Sequence, residues 1–290
     1  MVVSLLLAAV VEFSGYCTVL CNPTPTPCTA SPTATPASTP TSTPAPRVVF
    51  VVAGQSNSSG SFIYPQPYAG DLPGLLFGND YVWKPLADPT DSTDGQVDIV
   101  SQEDPRAHMN SIWPIFATFA SDYLNRQVAI VPTARGGTHI LQWVPGYGMD
   151  LEPGHDHWDR TTLYGSMIYR AQQSNATAIL WWQGESNSTT CTPRAYYADK
   201  LNLIVDGVWA DVGIPTVLGK IHHLTGPDEA CQQAIRDAVD DVIASNPHAL
   251  PGPDLSVMDS DDGGYHLTSN ESAVEAATLW WGAVRTAFGW

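Results

Sequence analysis

Residues 47–60 read RVVFVVAGQSNSSG. After the leading arginine the run is apolar on both faces, as a strand must be when helices cover both sides of a parallel sheet. Gly54, Gln55, Ser56 and Asn57 follow at once, small polar residues where an apolar strand ends. In a doubly wound α/β sheet, ligands bind in the crevice beyond the carboxyl ends of the strands. One stretch thus predicts both a parallel sheet and a serine at its working edge.

The pattern recurs along the chain. QVAIVPTA (127–134), ATAILWWQ (176–183), PTVLGKI (215–221) and DLSVMD (254–259) predict further strands, and helical periodicity predicts helices near 111–126, 161–174, 193–210, 227–245 and 269–288. Strand–helix alternation of this kind predicts a three-layer α/β/α, flavodoxin-like sandwich about a mostly parallel five-stranded sheet. The last helix opens on Thr268-Ser269-Asn270-Glu271, a capping-box pattern, and carries Ala273, Ala277, Trp281, Val284 and Phe288 at core spacing. Pro193 and Pro227 stand where a first helical turn tolerates proline. Residues 62–105, rich in Pro, Gly and Asp, are expected to form long loops over one end of the sheet.

With 290 residues, 43% of them hydrophobic, the chain can bury a substantial core. A net charge of −17, from 12 Lys+Arg against 29 Asp+Glu, argues against nucleic acid as a partner and suits a neutral substrate. Residues 1–21 hold an apolar run, VVSLLLAAVV, of signal-peptide length and too short to span a bilayer. It lacks the basic residues of an ordinary export signal, so a mis-started N-terminus is the alternative. Residues 22–46 are almost wholly Pro, Thr, Ser and Ala, a disordered or semi-rigid linker, and leave 47–290 as the folded domain. Apolar start and stalk together point to an extracellular or cell-surface location. Cys17, Cys21 and Cys28 fall in the N-terminal region. Export permits a Cys191–Cys231 disulfide; equally, Cys231 shares a helix face with Ile235, Val239 and Val242, as a buried thiol does.

Four stretches follow expected strand ends: Gly54–Asn57; ARGGTHILQW, with Gly136 and Gly137; WWQGESN, with Gln183, Gly184 and Glu185; and DSDDGGYHLT, with Asp259, Asp261, Asp262 and His266. Converging on one crevice, they suit acyl transfer. A serine hydroxyl becomes nucleophilic when a histidine accepts its proton, and a carboxylate must orient that histidine. The oxyanion then needs donors, for which the Ser56 N–H, a glycine N–H and a side-chain amide are available. Alone, each signal has an ordinary reading: Ser56 as a helix cap, Gly136-Gly137 as a turn, His266 as a capping or surface residue.

In this order, GQSN, GGT.I..W, QGES and a late histidine behind Asp-Gly resemble the SGNH-hydrolase superfamily, and within it the sialate O-acetylesterase-like carbohydrate esterases of family 6. LYGSMIYRA (163–171) also resembles the family's helix after the second block, and the similarity covers roughly residues 48–290. The resemblance implies an SGNH-type sandwich and a serine O-acetylesterase that needs no cofactor. It implies Ser56 as nucleophile and His266 as general base. The oxyanion hole would come from the Ser56 amide, Gly137 and Gln183, with Gln183 replacing the more typical asparagine. Gln55, Asn57 and Gly136 would support the site, Asn57 by tying down the nucleophile turn. Where the family places its acid three residues before the histidine, this chain has Gly263. The acid is then Asp262, one position earlier, or Glu185 of QGES. Ser58 stands where the family usually has methionine. The implied partner is an acetylated carbohydrate, whether xylan, sialic acid or a cell-wall glycan. The competing reading is a catalytically weak glycan-binding module displayed on the stalk, favoured if the shifted acid leaves His266 unoriented.

Other residues draw attention without fixing a role. Trp83, Trp143 and Trp158 fall in expected loops and are candidates for stacking on sugar rings. His155, Asp156, His157 and Asp159 crowd together with no spacing that sets metal geometry. The run from Asp259 fails as a calcium loop, because its twelfth position is Asn270. No metal is expected. His222 and His223 follow the fourth strand and are more ordinary as core or surface residues than as crevice lining.

Overall fold

In the computed structural model, β1 (Val48–Gly54) occupies the middle of the sheet. The structure describes residues 46–62, 74–101 and 110–290. The apolar segment 1–21, the linker up to residue 45 and Cys17, Cys21 and Cys28 lie outside the described residues. After β1 come α1 (Ser56–Ser59), β2 (Leu75–Phe77), β3 (Trp83–Pro85), α2 (Trp113–Leu124) and β4 (Val128–Pro132). A 3₁₀ turn (Ile140–Trp143), α3 (Leu163–Ser174), β5 (Ala178–Trp182), α4 (Glu185–Thr189) and α5 (Arg194–Val212) follow. The chain continues through β6 (Thr216–Lys220), α6 (Glu229–Ser245), β7 (Ala249–Asp254), a second 3₁₀ turn (Leu255–Val257) and α7 (Asn270–Phe288). The sheet order is β3-β2-β4-β1-β5-β6-β7, parallel except for the β2–β3 pair.

The central strands alternate between two cores, which is why they read as apolar on both faces. Val49, Val51 and Ala53 join Ile179 and Trp181 under α3, α5 and α6. Val48, Phe50 and Val52 join Leu180 and Trp182 under α2 and α7. Each fully buried side chain of this size contributes about 1.5–3 kcal/mol. Indoles line both layers: Trp143 meets Trp181 edge to face at 5.3 Å, Trp113 meets Trp280 at 5.7 Å, and Trp182 meets Trp280 at 6.1 Å. The three-layer α/β/α class is the one expected.

Details depart from expectation. The sheet has seven strands rather than five, because β2 and β3 arise within the stretch expected to be loops. Three-residue strands carry too little periodicity to stand out. The strand expected at 254–259 lies earlier, at Ala249–Asp254. Its Pro251 and Pro253 disguise it, yet proline is tolerated on an edge strand such as β7. Asp254 then accepts from the Ser256 N–H and caps the second 3₁₀ turn. At α7 the cap is Ser269, bonded to the Ser272 N–H, in place of the anticipated box ending at Glu271. Pro193 is the N-cap of α5, and Pro227 precedes the N-cap Asp228 of α6, so neither sits inside the first turn.

Two cross-links stiffen the domain. Cys191 and Cys231 form a disulfide, Cα atoms 4.8 Å apart, which joins the residues after α4 to α6 and answers the question of two separate thiols. Arg170, fully buried on α3, grips Asp98 through Nε (2.9 Å) and Nη2 (2.6 Å) and donates to Asn79 Oδ1 and the Pro132 carbonyl. Asn79 donates in turn to the carbonyls of Asp91, Ser92 and Ser101. The described part of the 62–105 stretch is therefore built onto α3 and the end of β4.

Candidate active site

The site begins where β1 ends. Gly54 adopts φ +127°, and a Cβ there would meet the Trp182 carbonyl oxygen at 1.8 Å, so only glycine lets β1 and β5 run this close. The next residue, Gln55, donates its N–H to the same carbonyl at 3.1 Å. The chain then turns into α1 and leaves Ser56 at its first position, 8% exposed.

Ser56 Oγ lies 2.9 Å from His266 Nε2, and His266 Nδ1 lies 2.8 Å from Asp262 Oδ2. Asp262, four residues before the histidine, reaches its ring because Gly263 takes φ +72° and folds the loop back. Its other oxygen accepts from the Gly264 N–H (2.7 Å) and the His266 N–H (3.1 Å). Burial pushes the Asp262 carboxyl up, but hydrogen bonds from the His266 backbone and ring and from Gly264 outweigh it and hold the group below its ordinary value. An ionised Asp262 only accepts, so Nδ1 carries the proton and Nε2 faces Ser56 as an acceptor. That is the protonation pattern a serine nucleophile requires.

Glu185, the other acid considered, makes no hydrogen bond to His266. Its Oε1 accepts from Asn57 Nδ2 at 2.8 Å, while Oε2 is buried with no hydrogen-bond partner among the described residues. Burial raises its pKa to about 7, against the smaller effect of hydrogen bonds from Asn57 and the backbone. Asn57 itself uses every hydrogen-bonding valence. Its amide donates to Glu185 and to the Tyr265 carbonyl (3.0 Å), and its oxygen accepts from Ser61 Oγ and the Leu267 N–H, both at 3.1 Å. Tyr265 and Leu267 flank His266, so one buried amide ties the nucleophile turn to the histidine loop.

Gln183 differs from expectation. Its two amide hydrogens face three acceptors within the protein: Gln55 Oε1 at 3.1 Å, the Thr138 carbonyl at 2.8 Å and Asn187 Oδ1 at 2.9 Å. Its oxygen accepts from Tyr197 OH at 2.7 Å. The side chain is thus a strut joining the first three blocks, with no amide hydrogen left over for an oxyanion; its length, one methylene beyond asparagine, brings it to these partners. The Ser56 and Gly137 backbone N–H groups make no hydrogen bond among the described residues. Gly136 abuts the serine, since a Cβ on it would lie 3.7 Å from Ser56 Cβ, and Gly137, at φ +72°, has open space in front of it. Gln55 Oε1 also accepts from the Ser186 N–H at 3.2 Å. Ser58 is buried, and its carbonyl accepts from Trp113 Nε1.

The aromatic expectations divide. Trp143 is fully buried and donates to Thr138 Oγ1, so it offers no face to a sugar. Trp83 lies in β3 under the Arg47 guanidinium, 4.2 Å from its ring centre. Trp158 keeps an exposed ring, at 36%. Sequence reasoning missed Tyr265, 41% exposed immediately before His266; its place beside the late histidine was the available signal. His155 is hydrogen-bonded to Asp159 (2.7 Å) and Glu152 (3.0 Å), and His157 lies 3.4 Å from Asp211. His222 is fully buried, and desolvation, reinforced by the nearby His266, lowers its pKa to about 3. His223 pairs with Glu229 and Asp259 at the surface.

Known proteins share this arrangement of elements. A family model described as carbohydrate esterase, sialic acid-specific acetylesterase, matches residues 46–279. A protein of Arabidopsis thaliana, named a probable carbohydrate esterase, is 24% identical over 198 residues, spanning 59% of this chain and 66% of its own length. The solved structure of that plant protein superposes with a TM-score of 0.63 at 20% identity, covering 83% of this chain and 98% of the plant chain. A carbohydrate acetylesterase from Xanthomonas citri gives a TM-score of 0.55 at 16% identity, covering 84% of this chain and 57% of that one. NanS gives a TM-score of 0.55 at 18% identity over 84% of this chain and 98% of its own.

Proposed function

The chain belongs to the family of carbohydrate esterases described as sialic acid-specific acetylesterases, and from that footing we propose that it is a serine esterase removing O-acetyl groups from a carbohydrate. The observation that carries the mechanism is the chain of contacts from Ser56 through His266 to Asp262 at the end of β1. Ser56 Oγ attacks the acetyl carbonyl carbon as His266 Nε2 takes the hydroxyl proton. The tetrahedral oxyanion sits against the Ser56 and Gly137 N–H groups, which no acceptor among the described residues occupies. On collapse the sugar oxygen leaves and takes its proton from His266. Water, deprotonated by the same imidazole, then attacks the acetyl-enzyme and releases acetate.

In this reading Asp262 is the orienting acid, and Gln55, Asn57, Glu185 and Gln183 hold the geometry. The binding-module reading depends on an unoriented histidine, and the 2.8 Å contact between Asp262 and His266 weighs against it. Among the described residues no helix is long and apolar enough to cross a membrane. Export on residues 1–21 with a 22–46 stalk belongs to the same proposal; the Cys191–Cys231 bond supports it, since disulfides persist in oxidising compartments. The test is hydrolysis of a chromogenic acetyl ester and of acetylated xylan, acetylated sialic acid and O-acetylated peptidoglycan by the protein and its Ser56→Ala variant. Acetate release by wild type and not by the variant is the expected outcome; equal rates for the two would overturn the proposal.

A further inference from the structure

Two adjacent carboxylates in the DSDDGGYHLT stretch divide their partners cleanly. Asp262 bonds only within the loop, to Gly264 and His266. Asp261 bonds beyond it. Its Oδ1 accepts from the Thr268 N–H and hydroxyl, and its Oδ2 accepts from the Ser269 N–H (3.0 Å) and Ser272 Oγ (2.7 Å). Its own N–H donates to the His266 carbonyl at 3.0 Å. Burial pushes the Asp261 carboxyl up, but donors from Thr268, Ser272 and Ser269 hold it far below the ordinary carboxylate range. A carboxylate there also complements the positive end of α7.

These bonds close a ring. Asp261 is anchored on the first turn of α7, a helix whose Ala273, Ala277, Trp280 and Val284 are buried in the core. Through its peptide it grips the carbonyl of His266, two residues before the anchor begins. Between Asp262 and His266 the loop doubles back at Gly263, which takes a left-handed turn at φ +72°. We propose that Asp261 is a positioning residue, locking the loop to α7 so that Asp262 and His266 meet Ser56 in register. This rests on the esterase reading for its catalytic consequence. The geometry of the loop does not.

The experiment compares Asp261→Asn and Asp261→Ala with wild type and with Asp259→Asn, which removes a charge from the same loop outside the clamp. Displacement by about an ångström at a site of this kind costs about 10²-fold, so kcat on the acetyl ester should fall on that order while KM changes little. Asp259→Asn should leave kcat in place. A second readout needs no turnover: the proton shared by His266 Nδ1 and Asp262 gives a downfield NMR resonance, expected to broaden or vanish in both Asp261 variants. If the variants melt at lower temperature but keep kcat per folded molecule and the resonance, Asp261 only stabilises the fold and the proposal falls. If Ser56→Ala turns over like wild type while the resonance still depends on Asp261, the esterase reading falls and the positioning role stands. Should both Asp261 variants fail to fold, Thr268→Val, which removes one donor to the same carboxylate, carries the test. A weakened resonance then supports the clamp, and an unchanged one overturns it.

Discussion

The Ser56 turn and the Asp262–His266 loop face each other across the 2.9 Å contact of Ser56 with His266, yet the two side chains are held in opposite ways. Around Ser56 the supports are neutral and buried: Gln55, Asn57 and Gln183 are 3% exposed or less, and the Gln183 amide donates to Gln55. Around His266 the supports are carboxylates near solvent, with Asp262 keeping 27% of its side chain exposed. Buried neutral amides need no counter-charge and are indifferent to salt, provided every hydrogen bond is made. Carboxylates at a surface loop stay ionised and can stabilise an imidazolium when it forms. The position of Ser56 is thus set by packing and amides, and the orientation of His266 by charged partners.

The comparison breaks most visibly at its centre. Ser56→Ala should lower acetyl-ester turnover by about 10⁶-fold, and Asp262→Asn by about 10⁴-fold, because the imidazole then loses its orienting partner. Steady-state rates on the folded variants check both. If Asp262→Asn retains more than a tenth of the activity, the charged side of the comparison is misassigned.

On the neutral side, Asn57→Ala removes both donors and both acceptors at once. Turnover should fall about 10²-fold from misplacement, and stability by roughly 2–4 kcal/mol, as the buried Glu185 carboxyl loses the Asn57 amide that donates to it. Denaturant unfolding alongside kinetics separates the two effects.

Glu185→Gln sharpens the contrast, since Glu185 is a buried carboxyl on the neutral side. With its pKa raised to about 7, the folded protein keeps a proton that the unfolded chain releases from about pH 4.5 upward. Wild-type stability is therefore full below that window, declines as pH rises through it, and is lower above 7 by up to about 3 kcal/mol. The glutamine variant should lack this decline, so its advantage over wild type should grow from pH 4 to pH 8 in thermal melts. A constant difference across that range would mean that Glu185 ionises as an ordinary surface carboxyl does.

The smallest effect is expected at Gly263. With φ +72° and nothing within 4 Å of the position a Cβ would take, Gly263→Ala is strained without being crowded. It should cost about 1 kcal/mol in unfolding free energy, with a modest loss of kcat as the loop shifts.

The two regions also differed in how well the sequence announced them. β1, the GQSN turn and helices α2, α3, α5, α6 and α7 were legible because their signals are local: apolar runs, helical periodicity and small residues at a strand end. The acid was ambiguous between Asp262 and Glu185 because spacing along a loop does not say where a left-handed glycine will fold it. The engagement of Gln183 was hidden, since its acceptors Gln55, Thr138 and Asn187 come from three separate blocks. Trp143 looked like a loop tryptophan because nothing local marks the 3₁₀ turn that packs it on Trp181. β7 was masked by its prolines, and β2 and β3 by their brevity.

The paired indoles give the domain an optical character of their own. Trp143, Trp181, Trp113, Trp182 and Trp280 are buried and lie in pairs close enough for their excited states to couple. Emission dominated by such rings is blue-shifted, and their near-ultraviolet dichroism tracks the packing of two core layers. A sugar arriving at Ser56 touches none of these five if they stay in the core. A fluorescence change on adding substrate would then report one of the remaining tryptophans, such as the exposed Trp158 or Trp209, or a rearrangement of the layers.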